Sequence, residues 1–464
     1  MSMAELRLDE IARKTGGTIV RGSPSLVFRE FSIDSRQTSP GGLFFAIVAR
    51  RDGHDFVADA ALRGAAGAVI SEDVPGVDGN LALIRVPNTL TALQTLAREV
   101  LAERRPKVVG ITGSVGKTTT KEFTAALLGR RYRVLKSEGN FNNHLGLALS
   151  LLRIEDSHEI AVLEMGMSAP GEIRTLTGIA PPDVAVITAI SPVHLEFLKT
   201  MEAVAAAKRE ILEGLKKDGA AVLNGDDPFV ERIAQSWPGR KTFFGFSRAC
   251  DVRVDDIQRM GFDGFKFTIY YGKERTRSRF SFVSEGALCN LLAALGVAYT
   301  LSLPLEAVEG AIQTLRPVPG RGLPIRLAKK IVLVDDSYNS NPAALESALQ
   351  SFSALPARRK IAVIGDMLEL GETGPRFHEE AGEQAARLGW DVLVTVGPLA
   401  CMAADGARSA GLSPAAIFSF ATSDEAAENI LPLLREDDLV LVKGSRGVRT
   451  DKIVEKIKTA LKET

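Results

Sequence analysis

Short apolar runs alternate with helix-length amphipathic stretches along most of this chain. Before residue 105, the runs at 18–20, 43–47, 68–70 and 81–86 predict strands, and the stretches 56–62 and 90–102 predict helices. The charged, proline-bearing break Glu103-Arg104-Arg105-Pro106 reads as a linker. Beyond it, unbroken apolar runs at 108–111, 160–163 and 184–188 have helical segments between them, the pattern of strands buried on both faces of a mostly parallel sheet. A second break, Arg316-Pro317-Val318-Pro319-Gly320-Arg321-Gly322, precedes the last region. There, strands at 331–334, 361–364, 392–396 and 439–442 alternate with helices beginning near Pro342, Arg376, Leu399 and Asp424. Such alternation predicts a doubly wound, Rossmann-like sheet with its ligand crevice at the strand carboxyl ends. The expected fold class is α/β in three domains, a small N-terminal one over 1–105, a central one over 106–319 and a C-terminal one over 320–464.

Composition narrows the function classes. A length of 464 residues suits about three domains with a core each. Lys plus Arg number 57 and Asp plus Glu number 57, so no global field draws the chain to nucleic acid or to a membrane. Cys250, Cys289 and Cys401 are far apart and match no metal spacing, as expected of free thiols in a reducing compartment. The first 18 residues are amphipathic, carry Glu5, Asp9 and Glu10, and lack the unbroken apolar core of a signal peptide; no later run reaches membrane-spanning length. A cytoplasmic enzyme with no nucleic-acid partner and no membrane insertion is the expectation.

The segment most informative about chemistry is Thr112-Gly113-Ser114-Val115-Gly116-Lys117-Thr118-Thr119-Thr120, between a predicted strand and the helix-like stretch 121–128. A glycine-rich turn ahead of a helix N-terminus points backbone N–H groups at an anion, Lys117 adds a point charge, and the Thr118 hydroxyl can hold Mg²⁺. The standard phosphate loop has a glycine where Ile111 stands here; the glycines fall at Gly110 and Gly113 instead. The competing reading is an ordinary glycine turn before a helix. Strand, helix and successive threonines together favour a triphosphate site.

Other polar residues stand at predicted strand ends, each with a plainer alternative. Glu164 follows the 160–163 run and is placed to ligand Mg²⁺, or is a surface turn carboxylate. His194, in Ser191-Pro192-Val193-His194-Leu195-Glu196, is a ligand or a satisfied loop histidine. Lys208, after Ala205-Ala206-Ala207, is a solvated helix lysine unless another element approaches closely. Asn140-Phe141-Asn142-Asn143-His144-Leu145-Gly146 binds a polar ligand or caps a helix. Asp335-Asp336-Ser337-Tyr338-Asn339-Ser340-Asn341-Pro342 holds a ribose or caps the helix at Pro342. With the segment 365–371, His378 and Lys443-Gly444-Ser445-Arg446, these clusters imply a second ligand face opposed to the nucleotide face across a cleft.

Thr112 to Thr120, Glu164, His194, Lys208 and the segment 336–342 together resemble the Mur ligase family, ATP-dependent ligases of peptidoglycan precursor synthesis, and the likeness runs from Asp34-Ser35-Arg36 to the last strand. The resemblance implies a UDP-sugar-binding N-terminal domain, a central ATP domain and a C-terminal domain that closes over both. It implies ATP contacts from Gly113, Ser114, Val115, Gly116, Lys117, Thr118 and Thr119, with Asn290 at the adenine, Arg321 at the terminal phosphate, and Asp336 and Asn339 near the ribose. Thr118, Glu164, His194 and a carbamylated Lys208 would hold Mg²⁺, and Asp34, Ser35, Arg36, Asn140 and Asn143 would meet the substrate. Lys117, Lys208, His194, Glu164 and Arg321 form the implied catalytic set. The C-terminal clusters are similar to the branch that uses UDP-N-acetylmuramoyl-tripeptide and D-alanyl-D-alanine, and the chain lacks the Asp-Asn-Pro-Arg run of the branch adding a diamino acid. The chain departs from the family at Ser284-Glu285-Gly286-Ala287, where a His-Asn pair usually precedes Asn290. A monomer is expected. The alternatives are a family member adding a single amino acid, or a non-enzymatic nucleotide switch.

Overall fold

The computed structural model describes residues 5–77 and 79–462. The first four residues of the amphipathic N-terminal stretch lie outside that range; its remainder forms the helix Leu8–Thr15, stopped by Gly16 at φ 66°. The architecture is α/β, with a separate main sheet for each of the three predicted regions.

The N-terminal sheet has five strands. Phe31–Ser32, Leu43–Phe45, Gly67–Ile70 and Ala82–Arg85 run parallel, and Thr18–Arg21 joins antiparallel at one edge. The helix Thr89–Arg104, N-capped by the Asn88 side chain, leads out of it. The helix runs through Arg104, so the expected linker shortens. Arg105 ends the helix at φ 53°, and Pro106, which has no N–H to give, precedes the next strand.

The central sheet has nine strands. Third from one edge, Lys107–Thr112 lies between Ile160–Glu164 and Val184–Ile187, all parallel. Their Val, Ile, Leu and Ala side chains are buried on both faces, which is why the runs are apolar without alternation. Each fully buried Leu or Ile there contributes on the order of 1.5–3 kcal/mol. Helix Glu285–Thr300 covers one face together with helix Lys117–Leu128, which it packs against. Beyond Val184–Ile187 follow Ala220–Asn224, Arg240–Gly245 and a ribbon of Val252–Arg259, Phe265–Tyr271 and Glu274–Phe280, whose last two strands turn antiparallel. In that ribbon Phe265, Phe267, Ile269 and Tyr271 alternate inward and the residues between them face out.

The C-terminal sheet orders its strands Leu323–Arg326, Val332–Asp336, Asp438–Lys443, Arg359–Gly365, Val392–Val396 and Ile417–Phe420, parallel except for the first. Helix Pro342–Ser353 follows Val332–Asp336; Asn341 caps it and Pro342 fills a first-turn position where a missing N–H does no harm. Among the described residues, no helix is long and apolar enough to cross a membrane.

Candidate active site

Two glycines shape the loop after Lys107–Thr112. A Cβ on Gly113 (φ 153°) would stand 1.9 Å from Thr188 Oγ1, and one on Gly116 (φ 84°) would stand 2.1 Å from Asn290 Oδ1. The loop's other side is tied down through Ser114, whose N–H donates to Ala189 O at 2.8 Å and whose hydroxyl donates to Ser191 O at 3.0 Å. The Thr188 hydroxyl donates to Val115 O at 2.5 Å. The helix Lys117–Leu128 then begins, and the N–H groups of its first turn have no intrahelical acceptor. Lys117 Nζ donates to Gly113 O at 2.7 Å, and burial lowers the pKa of its ammonium, opposed by Glu164 and reinforced by Arg321.

Glu164 ends the strand beside the loop and is 2% exposed. Its Oε2 accepts from the Thr118 hydroxyl at 2.8 Å and its Oε1 from Asn142 Nδ2 at 2.9 Å, and it has no ion pair among the described residues. Lys208, on helix Met201–Glu213, is also 2% exposed, which overturns the solvated-lysine alternative. Burial first, then the charge of Lys117, push its ammonium well below the usual range.

The C-terminal domain supplies the facing wall. Arg321 Nη2 donates to Thr118 Oγ1 at 3.4 Å, so one hydroxyl links a cation of one domain to Glu164 of the other. Its guanidinium stacks 4.1 Å from the Tyr338 ring centre, and its Nε is buried without a hydrogen-bond partner. Asp336 Oδ2 accepts from Lys443 Nζ at 2.6 Å, and Lys443 also donates to Asn339 O at 3.0 Å. Burial raises the Asp336 pKa against the pull of Lys443. Between the walls lies a cleft of about 300 Å³, lined by apolar residues (Phe282, Ala287, Ala344, Phe352) and by the polar set Ser114 to Thr119, Asn140, Asn142 and Glu164.

The structure does not gather every expected residue there. Asn290 lines the cleft, but its Oδ1 accepts from the Thr120 hydroxyl at 3.3 Å and packs on Gly116. Asn143 caps helix His144–Leu151, accepting from Gly146 N at 2.9 Å, while Asn142 turns to Glu164. His194 (φ 53°) meets Glu369 (φ 63°) across the domain boundary, with His194 Nδ1 2.5 Å from Glu369 Oε2; the imidazole lowers that carboxyl's pKa. Neither residue lines the cleft. Asp34 accepts two hydrogen bonds from the Arg36 guanidinium, at 2.9 and 2.8 Å, and Ser35 is buried beside them; all three belong to the N-terminal domain, away from this cleft. His378 is fully buried, accepting from Met367 N at 2.8 Å and donating to Gly374 O at 2.6 Å, a structural use. Thr188 is a cleft residue that sequence reasoning did not mark, while Asn142, Tyr338 and Lys443 lay inside polar segments it named without being ranked within them. Asn142 is one of three asparagines in four positions with nothing to rank them, and Thr188 closes an apolar strand.

The residues fit a triphosphate and a divalent cation. Added Cβ atoms would fill the cradle at Gly113 and Gly116, the Arg321 Nε is an orphaned donor, and Glu164, with no ion pair among the described residues, offers hard oxygens beside the Thr118 hydroxyl.

A phosphate loop on an inner strand of a mostly parallel sheet, faced by a cation from a second, doubly wound domain, defines a nucleotide-using enzyme that works in an interdomain cleft. Residues 111–298 match the Mur ligase middle domain, and residues 320–446 match the "Mur ligase, glutamate ligase domain". The "UDP-N-acetylmuramoyl-tripeptide--D-alanyl-D-alanine ligase" of Bacillus subtilis (strain 168) is 35% identical over 97% of this chain and 98% of its own length. The ligase of that name from Escherichia coli (strain K12) is 32% identical over 91% and 92%. Among solved structures, MurF from Acinetobacter baumannii superposes with a TM-score of 0.89 at 27% identity, covering 99% of this chain and 100% of that one. MurF ligase from Thermotoga maritima in complex with ADP gives 0.81 at 32% identity, over 93% and 97%. The chain belongs to the Mur ligase family.

Proposed function

We propose that this protein joins D-alanyl-D-alanine to the terminal carboxylate of UDP-N-acetylmuramoyl-tripeptide, with ATP converted to ADP and phosphate, in the cytoplasm. The observation that carries this reading is end-to-end likeness to ligases of that name, together with a phosphate loop and a facing arginine in one cleft. In this reading residues 1–105 take the UDP-sugar through Asp34, Ser35 and Arg36, 106–319 hold ATP, and 320–464 close over ATP and the dipeptide.

The chemistry divides into two displacements. A carboxylate oxygen attacks the γ-phosphorus, the bond to the β–γ bridging oxygen breaks, and ADP leaves behind an acyl phosphate. The dipeptide amine then attacks the acyl carbon; phosphate departs and the nitrogen loses a proton to give the amide. The first step brings two anions together, so Lys117 and Arg321 serve to neutralise charge around the γ-phosphate, where the Arg321 Nε finds the acceptor it lacks. Thr118 and Glu164 would hold magnesium, which would share that neutralisation; His194, paired with Glu369, and Lys208 do not line the cleft, so their part in holding the metal depends on the domain closure proposed above. Asn140 and Asn142, both lining the cleft, would orient the carboxylate, and Asp336 and Asn339 the ribose.

Lys208 suits carbamylation because only the neutral amine attacks CO₂, and its surroundings favour that form. The amine nitrogen bonds to the carbon of CO₂ and releases a proton, so a neutral group becomes an anion that attracts Lys117.

The test is phosphate release by purified protein with magnesium, ATP and the UDP-muramoyl-tripeptide, comparing D-alanyl-D-alanine with single amino acids. Turnover with the dipeptide alone is expected. Turnover with a single amino acid would move the chain to another branch of the family, and none with any acceptor would overturn the proposal.

A further inference from the structure

Lys121 has no place in the scheme above, yet it is 0% exposed and lies one helical turn beyond Lys117. Its ammonium donates to Ser137 O at 2.7 Å and Gly139 O at 3.1 Å, and stands 3.2 Å from Glu122 Oε1. Two of its donors thus meet backbone carbonyls of one loop, and Glu122 adds an ion pair. Gly139, at φ 49°, makes the turn there.

That loop wraps the end of the strand carrying Glu164. The Ser137 hydroxyl accepts from Glu164 N at 3.1 Å. A few residues on, Asn142 O accepts from Gly166 N at 2.8 Å, and a Cβ on Gly166 would stand 2.9 Å from Asn142 Cγ. Asn142 is thereby pressed against the strand end with its Nδ2 on Glu164 Oε1. The other oxygen of Glu164 is held by Thr118, which shares a helix with Lys121. One buried cation therefore sets the register between the two elements that grip the same carboxylate.

We infer that Lys121 is a positioning residue for the reaction, acting through Asn142 to fix the orientation of Glu164. The inference rests on the reading that Glu164 meets the metal. Outer partners of a metal ligand change metal affinity or turnover by about 10–100-fold when removed. A lysine serving fold stability alone would lower the melting temperature without touching metal affinity.

The experiment uses Lys121→Met, Lys121→Arg, Asn142→Ala and the Lys121→Met/Asn142→Ala double variant, in the full chain. Mn²⁺ binding to the ADP complex is followed by electron paramagnetic resonance, ADP binding without metal by calorimetry, and kcat and KM for ATP in the coupled assay. Lys121→Met is expected to weaken Mn²⁺ binding and reduce kcat by about 10–100-fold, with metal-free ADP affinity held within about threefold. Lys121→Arg, which keeps charge and donors, recovers part of the loss. In the Asn142→Ala background, Lys121→Met adds less than about threefold, since both act on one group. Wild-type Mn²⁺ affinity in folded Lys121→Met, or full additivity with Asn142→Ala, overturns the inference. Should Lys121→Met fail to fold, Lys121→Gln, which keeps an uncharged NH₂ donor group, is read in the same way. A wild-type protein inactive with every acceptor sinks the proposed function, whereas active wild type with metal binding indifferent to Lys121 sinks this inference alone.

Discussion

Gly116→Ala isolates what the loop's backbone contributes to nucleotide binding. The residue has φ 84°, so an alanine there carries a left-handed strain of about 1–2 kcal/mol. Its Cβ would fall 2.1 Å from Asn290 Oδ1, so the carboxamide must retreat by roughly 1 Å to reach contact distance. That movement breaks the bond from the Thr120 hydroxyl, itself about 0.5–1.5 kcal/mol. A combined cost of about 2–3 kcal/mol in the binding geometry weakens ADP by roughly 30- to 150-fold. Calorimetry with ADP measures this directly. A second substitution, Asn290→Ala, makes room for the Cβ but leaves the backbone strain, so the double variant should recover only part of the loss. ADP affinity within twofold of wild type in Gly116→Ala would refute the reasoning.

Three further outcomes are expected. Lys117→Ala lowers kcat by roughly 10²–10³, the range for one lost electrostatic contact in a transition state, and near-normal kcat would remove Lys117 from the scheme. Lys208→Arg, whose guanidinium cannot form a carbamate, loses activity, while Lys208→Ala regains part of its own on adding short carboxylic acids; full activity in Lys208→Arg would exclude the carbamate. His378 is held neutral because burial lowers its pKa and its Nε2 accepts from Met367 N. Its contribution to stability is present above the unfolded value of about 6.5 and is lost as pH falls through the lower folded value. Melting temperatures measured from pH 8 to 5 should fall more steeply for wild type than for His378→Gln, and parallel curves would contradict this.

The parallel strands were legible because burial on both faces leaves an unbroken apolar run, as at Val108-Val109-Gly110-Ile111. The ribbon spanning 252–280 was not read as strands. Its outward positions are charged, as in Glu274-Arg275-Thr276-Arg277-Ser278-Arg279-Phe280, and such a segment resembles a solvated loop until its inward neighbours are seen packed. Ile417–Phe420, an edge strand with no fully buried residue, lacked a signal for the same reason. Within the site, motif spacing pointed to Lys117, Thr118 and Glu164. Which asparagine among 140, 142 and 143 turns inward depends on where the helix cap falls, and Asn143 took that role. The pairing of His194 with Glu369 joins residues 175 positions apart, and no local pattern encodes it.

Arg321 lies just before the strand Leu323–Arg326 and so travels with the C-terminal sheet, although its Nη2 reaches the loop of the central one. Any parting of the two sheets withdraws that cation from the phosphate pocket. In the proposed function, a bound polyanion would lose one of its cations as the exit opens, which would couple release of spent nucleotide to unclasping of the molecule.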